Sequence, residues 1–381
     1  MRLPRNARWA VPTVAVVVIG GGIAASAISV AQAAPDLPAK TPAQLLADIA
    51  ATQKIPALTG TVVESANLGL PQLPQVGNPT SLTSLITGSH TLKVYWQDGR
   101  HFRLAMPQTM TETDVIRNGS TLWLWESASN TVTRYSLAGH GHDATAPQPA
   151  DLPALTPQQA ANEALQAVGK TTVVSVDSNV SVAGEAAYQL VLAPRDSRST
   201  IGSIAIAIDA KTSVPLRVQI FAKGSATPAF QVGYTQISYV APAAANFNFT
   251  PPAGATYDNT SKPQPGQQDA GPAPAGQPGS YGSGWLTVAE IPSSFLSEAS
   301  GQQAPVSTPS GSGVFGADGQ AAVNAFLGAG KQVSGSWGSG QLIHTSLINV
   351  LIVGNQLYIG AVDPSVLEAA VGHATPVPSG S

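Results

Sequence analysis

The chain has 381 residues, 43% of them hydrophobic and only 10% charged, with 37 Gly and 31 Pro. That length allows two or three domains and a sizeable core, and the Gly and Pro content points to many turns and some unstructured linker. A formal net charge of −3 argues against nucleic acid, which needs a basic face, and the absence of cysteine excludes disulfides, thiolate zinc sites, thiol catalysis and N-terminal acylation of the lipoprotein type.

The N-terminus reads as an export signal. Arg2, Arg5 and Arg8 precede an apolar run from Trp9 to about Val30, and Ala31, Gln32 and Ala33 fit a cleavage site. The run is also long enough to stay as a membrane anchor. Either way residues 1–33 place the remainder outside the cytoplasm, in a secreted or periplasm-like location. The Ala, Gly and Pro content suits an actinobacterial envelope.

Thr41 and Pro42 open a helix, because Thr caps free N–H groups and Pro is tolerated at the first helical position. Leu45, Leu46 and Ile49 give it an apolar stripe. Residues 58–250 then read mostly as strands. A loop rich in Pro, Gly, Ser and Thr is expected over 67–90. Leu92, Val94 and Trp96 alternate with other residues, as do Phe102, Leu104 and Met106 after a turn at Gln97, Asp98 and Gly99. Asn118-Gly119 is a two-residue hairpin signal. The strand after it puts Leu122 and Leu124 on one face and Trp123 and Trp125 on the other. A one-sided antiparallel sheet would have one of those faces polar.

A second loop is expected over 139–153, and a second helix opens at Thr156-Pro157 and runs to Val168, with Gly169 ending it. Ile204, Ile206 and Ile208 lead through a turn at Asp209, Ala210 and Lys211 to Leu216, Val218 and Ile220. Residues 260–284 read as a Pro, Gly, Gln and Ser linker. Beyond it, 285–375 is expected to be a small α+β unit. It would hold a strand from Trp285 to Phe295, a short helix from Ala321 to Leu327, a hairpin of Leu342–Val353 and Leu357–Val362 about Gly354-Asn355, and a last helix from Pro364 to Val371.

No G-x-S-x-G, H-E-x-x-H or G-x-x-x-x-G-K-[ST] run occurs. His140, His142 and Asp143 offer metal-ligand chemistry but read better as a polar loop tip. Glu64, Glu112, Asp114 and Glu126 lie on or near strands and read as solvated edges rather than as paired catalytic carboxylates. Asp209 reads as a turn former. The expectation is a binding protein without metal or cofactor, not an enzyme.

Three stretches resemble the outer-membrane lipoprotein carrier (LolA-like) family. "VIRNGSTLWLW" is similar to its hairpin, "LVLAPRDSRSTIGSIAIAIDAKTSVPLRVQIF" to its pair of long strands, and "FNFTPPAGATYDN" to its closing F-x-F-x-P-P-x-G motif. "GWLTVAEIPSSF" resembles the start of the small domain of RseB/MucB-type envelope-stress sensors. The resemblance implies a mainly β fold with some α. A half-open antiparallel β-barrel capped by helices would occupy 34–259 and the small α+β unit would follow the linker. Carrier members of the family hold an Arg before the strand corresponding to 101–106, which ties the lid to the barrel. Here that position holds Asp98, with Arg100 and Arg103 nearby.

The resemblance further implies an apolar cavity that takes a lipid or lipoprotein acyl chain. By strand parity its lining is Leu92, Val94, Trp96, Phe102, Leu104, Met106, Ile204, Ile206, Ile208, Leu216, Val218 and Ile220, joined by Trp123 and Trp125. The alternative is an RseB-like regulator whose two domains hold a membrane protein such as an anti-sigma factor.

Overall fold

The computed structural model describes residues 35–52, 55–69, 88–137, 165, 168–258, 279–292, 330–373 and 375–376. The export segment at 1–33, the His140 to Asp143 loop tip, most of the expected helix over 156–168 and the expected helix over 321–327 lie outside these residues. Among the described residues no helix is long and apolar enough to cross a membrane.

Helix α1 (Pro42–Ala51) opens as its sequence dictates. The Thr41 hydroxyl accepts from the Gln44 N–H, and the Gln44 side chain accepts in return from the Thr41 N–H. Strands β1 (Leu58–Ala66), β2 (Gly88–Asp98), β3 (His101–Gln108), β4 (Thr111–Asn118), β5 (Thr121–Glu126) and β6 (Thr131–Ser136) follow as a meander. Then come β7 (Thr172–Val176), β8 (Val180–Val182), β9 (Glu185–Pro194), β10 (Ile201–Asp209), β11 (Pro215–Ala222) and β12 (Pro228–Ser238), and β13 (Thr256–Asp258) after a 3-10 turn at Ala244–Phe247.

These strands form one 13-stranded sheet in the order β13-β6-β5-β4-β3-β2-β1-β12-β11-β10-β9-β7, with β8 beside β9. All pairings are antiparallel except that of β13 with β6, so the sheet is mixed rather than wholly antiparallel. A three-residue strand arriving from a distant connection can lie parallel, whereas short hairpins cannot.

Paired residues put their side chains on the same side of a sheet, so register defines two faces. Gly60, Val94, Leu104, Val115, Leu124 and Thr133 form one cross-strand row. Val176, Leu190, Ile206, Val218, Val232, Glu64 and His90 form another, with the same facing. This is the inner face. At one flank Leu45 of α1 packs on Tyr188, Leu190 and Ile208, with Ile206, Val174 and Val176 around them. The outer face of the central strands is polar: Gln219 donates to Gln231 at 2.6 Å and Arg217 to Gln189 at 3.3 Å.

The second unit is a seven-stranded sheet in the order β16-β17-β18-β19-β15-β14-β20. Its strands are β14 (Gly279–Tyr281), β15 (Val288–Pro292), β16 (Lys331–Gly335), β17 (Gly338–His344), β18 (Asn349–Val353), β19 (Gln356–Gly360) and β20 (Thr375–Pro376). Helix α2 (Pro364–Ala370) packs Val366, Leu367 and Ala370 on Val288, Leu351 and Tyr358. The strand expected over Leu342–Val353 is two strands broken by a turn. The Thr345 hydroxyl there donates to the Ile348 carbonyl and accepts from the Leu347 and Ile348 N–H groups, the local competition that Thr offers to a ladder. Residues 279–284, the end of the expected linker, include strand β14 and so belong to this unit.

The two units touch. A bridge joins Ser199 to Val362. The Thr200 hydroxyl donates to the Leu347 carbonyl at 2.5 Å, and the Ser346 N–H to the Leu68 carbonyl at 2.8 Å. Leu347, 5% exposed, packs on Ala66, Ala229 and Phe230 of the first sheet.

Replacing Leu45 by Ala should lower stability by about 2–5 kcal/mol, because a buried leucine is lost from a contact that rigid strands cannot close up. Urea unfolding of the purified protein measures this. A change under about 1 kcal/mol would show that α1 is not fixed to the sheet as described.

Candidate functional site

The site begins with a hollow between inner-face side chains. Val62 and Glu64 of β1, Leu92 and Val94 of β2, Leu104 of β3, and Phe230 and Val232 of β12 surround one cavity of about 180 Å³. Three of the residues expected from sequence, Leu92, Val94 and Leu104, therefore meet in one hollow. Tyr234 lies beside it over Gly60, where a Cβ would come within 2.6 Å of the tyrosine ring.

The remaining expected residues are distributed around this hollow. Met106 shares the inner face and is 2% exposed. Trp96 stacks on Phe102 with centroids 5.9 Å apart and packs against the cluster of Leu58 and Leu216 at one end of the sheet. Ile206 and Ile208 lie beneath α1. Ile220 packs with Phe230 and Val232 near Leu347, and Ile204 and Val218 hold the inner face between these groups. Val94, Leu104, Ile206, Val218 and Ile220 are all only partly buried.

Trp123 and Trp125 are not part of this wall. Register puts Leu122 and Leu124 inward and the two tryptophans outward. There the Phe249 ring lies 5.6 Å from Trp123 and 5.9 Å from Trp125, and Phe247 lies 6.1 Å from His101. The Phe-x-Phe motif after β12 thus covers the outer face of β3 to β5, which explains why that strand is apolar on both sides.

Glu64 and Asp114 correct the expectation of solvated edges, whereas Glu112 and Glu126 are half-buried. Glu64 is 1% exposed and its register partner His90 is 5% exposed. Their Oε2 and Nδ1 atoms lie 2.9 Å apart, close enough for an ion pair. The angles do not suit a hydrogen bond, so among the described residues neither carboxylate oxygen of Glu64 nor Nδ1 of His90 has a hydrogen-bond partner. Strand β2 starts at Gly88, so His90 belongs to the sheet and not to the loop expected over 67–90.

On the outer face Asp114, also 1% exposed, pairs with Arg103 at 2.6 Å, and Glu112 pairs with the same guanidinium at 3.1 Å. Burial pushes the Asp114 carboxyl up to about 6 against the pull of Arg103. Asp98, at the latch position, accepts from the Arg100 N–H at 2.7 Å and lies 3.0 Å from His101. Asp209 is buried and accepts from the Lys211 and Thr212 N–H groups and from the Tyr239 hydroxyl, as a turn former with one long-range partner. Among the described residues no group of three His, Asp or Glu could hold a metal ion.

No protein-family model and no curated protein sequence matches the chain. It is structurally similar to MucB in complex with the periplasmic part of MucA, at 14% identity and a TM-score of 0.42 over 89% of this chain and 100% of that one. The Pseudomonas aeruginosa MucA/MucB complex matches at 14% identity and a TM-score of 0.41, over 88% and 97%. A LolA superfamily protein from Nitrosomonas europaea matches at 12% identity and a TM-score of 0.23, over 55% of this chain and 99% of that one. The likeness to both groups is thus present at low identity.

Asp114 gives the outer face a pH dependence. Its folded pKa lies above the ordinary value of 3.8, so protonation favours the folded state. The stability it contributes is full below about 3.8 and is lost as pH rises through about 6. Between pH 7 and 4.5 the wild type should therefore gain on the order of 1–3 kcal/mol over Asp114→Asn. Urea unfolding of both proteins across that range measures the difference, and parallel pH profiles would contradict the assignment.

Proposed function

We propose that this is an exported binding protein that holds a lipid or lipoprotein acyl chain against the inner face of a half-open barrel, without enzymatic chemistry. The observation that supports this reading is the cavity formed by Val62, Leu92, Val94, Leu104, Phe230 and Val232, set in an inner face whose neighbouring Val218 and Ile220 are also only partly buried. Apolar burial contributes about 0.8 kcal/mol per methylene, so a chain of about a dozen methylenes needs no charged contact to bind. The hollow of about 180 Å³ is smaller than the roughly 300–1,000 Å³ of whole small-molecule pockets. It would take part of a chain, and the remainder would lie along the partly buried apolar side chains beside it.

Leu104→Arg tests this reading, since an unpaired charge in the hollow is costly. Uptake of dodecan-1-ol, followed by tryptophan fluorescence, should fall at least about tenfold while the far-ultraviolet circular dichroism stays native. A folded variant with wild-type uptake would place the ligand elsewhere.

The regulatory reading has its own support. Leu347 of the second unit packs on Phe230 and beside Val232, two residues that also line the cavity. A ligand in the cavity would therefore press on the contact between the units, as expected of a sensor that grips a membrane protein such as an anti-sigma factor. Leu347→Asp should separate the units and enlarge the radius of gyration in small-angle X-ray scattering while leaving the sheet signal intact. An unchanged radius would remove this support.

A further inference from the structure

The inner face carries one feature that acyl binding alone does not require. A hollow for hydrocarbon is expected to be apolar throughout, because an ionisable group out of water without hydrogen bonds is costly. Yet Glu64 lines the hollow, is 1% exposed, and has among the described residues no hydrogen-bond partner for either carboxylate oxygen. His90, its register partner on β2, stands 2.9 Å away and is 5% exposed. The flanking inner-face positions are Val62 and Ala66 on β1, Leu92 on β2 and Val232 on β12, none of which can donate a side-chain hydrogen bond.

Resting on the acyl-binding reading, we propose that Glu64, flanked by His90, is the recognition point for the polar end of the bound amphiphile, and that this end is a hydrogen-bond donor, an O–H or N–H group. A carboxylate is an acceptor only, with room for several donors on its two oxygens. A ligand donor placed there supplies the hydrogen bonds that the protein leaves unmade. A ligand ending in an ester, an ether or a carboxylate brings only acceptors and leaves Glu64 unsatisfied, with repulsion added in the last case. His90 sits on the far side of the carboxylate from Val232 across the sheet and limits where the second oxygen can turn. The selectivity arises because a site that has lost its water discriminates strongly against an analogue that cannot complete its hydrogen bonds.

The test compares two neutral probes of equal chain length, dodecan-1-ol and dodecyl methyl ether, which differ by capping the donor. Each is titrated into the full-length protein and read by tryptophan fluorescence. The wild type should bind the alcohol about tenfold more tightly than the ether or better, from a hydrogen bond to a charged acceptor. Glu64→Gln, which keeps the shape and removes the charge, should bring that ratio to within about threefold of unity. Equal binding of the two probes by the wild type would overturn the headgroup assignment while leaving the acyl site standing. A full preference retained in folded Glu64→Gln would do the same. Binding of neither probe would overturn both readings. Should Glu64→Gln fail to fold, the wild-type ratio alone decides the matter.

Discussion

Among the described residues one constraint shapes the first unit: the ten residues of α1 cannot cover a 13-stranded sheet. At 1.5 Å per residue α1 is about 15 Å long, and strands stand about 4.8 Å apart, so it spans roughly three strands. That is what it does, lying over Val174 and Val176 of β7, Leu190 of β9 and Ile206 and Ile208 of β10. The inner face continues past β11, β12, β1, β2 and β3 with mostly apolar side chains, and among the described residues other cover comes at its far ends. Leu347 from the second unit fills one end beside Phe230, and Trp96 with Leu58 and Tyr234 packs the other. The hollow lies between these covers.

Strand alternation then lets the same strands serve two purposes. The outer face of β3 to β5 packs its half-buried tryptophans against Phe249, where ring contacts near 6 Å add to simple area burial. The outer face of β9 to β12 is instead polar, laced by Gln189, Arg217, Gln219 and Gln231. Because both arrangements hold the sheet from outside, the inner face is free to stay partly open. The part-buried Arg103–Asp114 pair fits the same scheme: it joins β3 to β4 on the covered outer side, away from the hollow.

The alternating strands were legible because each repeats large apolar residues at period two, and the turns at Asn118-Gly119 and Asp209 because those residues carry their own turn chemistry. The helix at Thr41-Pro42 followed from its cap. The direction of the Trp123 and Trp125 face was not legible, since it depends on Phe249, more than a hundred positions later in the chain. Phe249 alone meets both tryptophans, while Phe247 lies against His101. Glu64 and His90 were missed by residue type. Counting parity instead puts Glu64 in phase with Leu58 and Val62, and His90 in phase with Leu92, Val94 and Trp96, so period two marked both as inward-facing. The break at Thr345 was hidden by apolar neighbours on both sides, Ile343 and Leu347, that read as one continuous strand.

The proposed function stands or falls on an acyl chain lying on the inner face between β12 and β3. The most direct measurement is methyl-detected NMR of the protein with a dodecyl alcohol carrying a nitroxide on its chain. The methyl signals of Val62, Leu92, Val94, Leu104 and Val232 should broaden first and most, while those of the outward-facing Val191 and Ala205 persist. Broadening centred on the outward-facing methyls, or none at saturating probe, would contradict it.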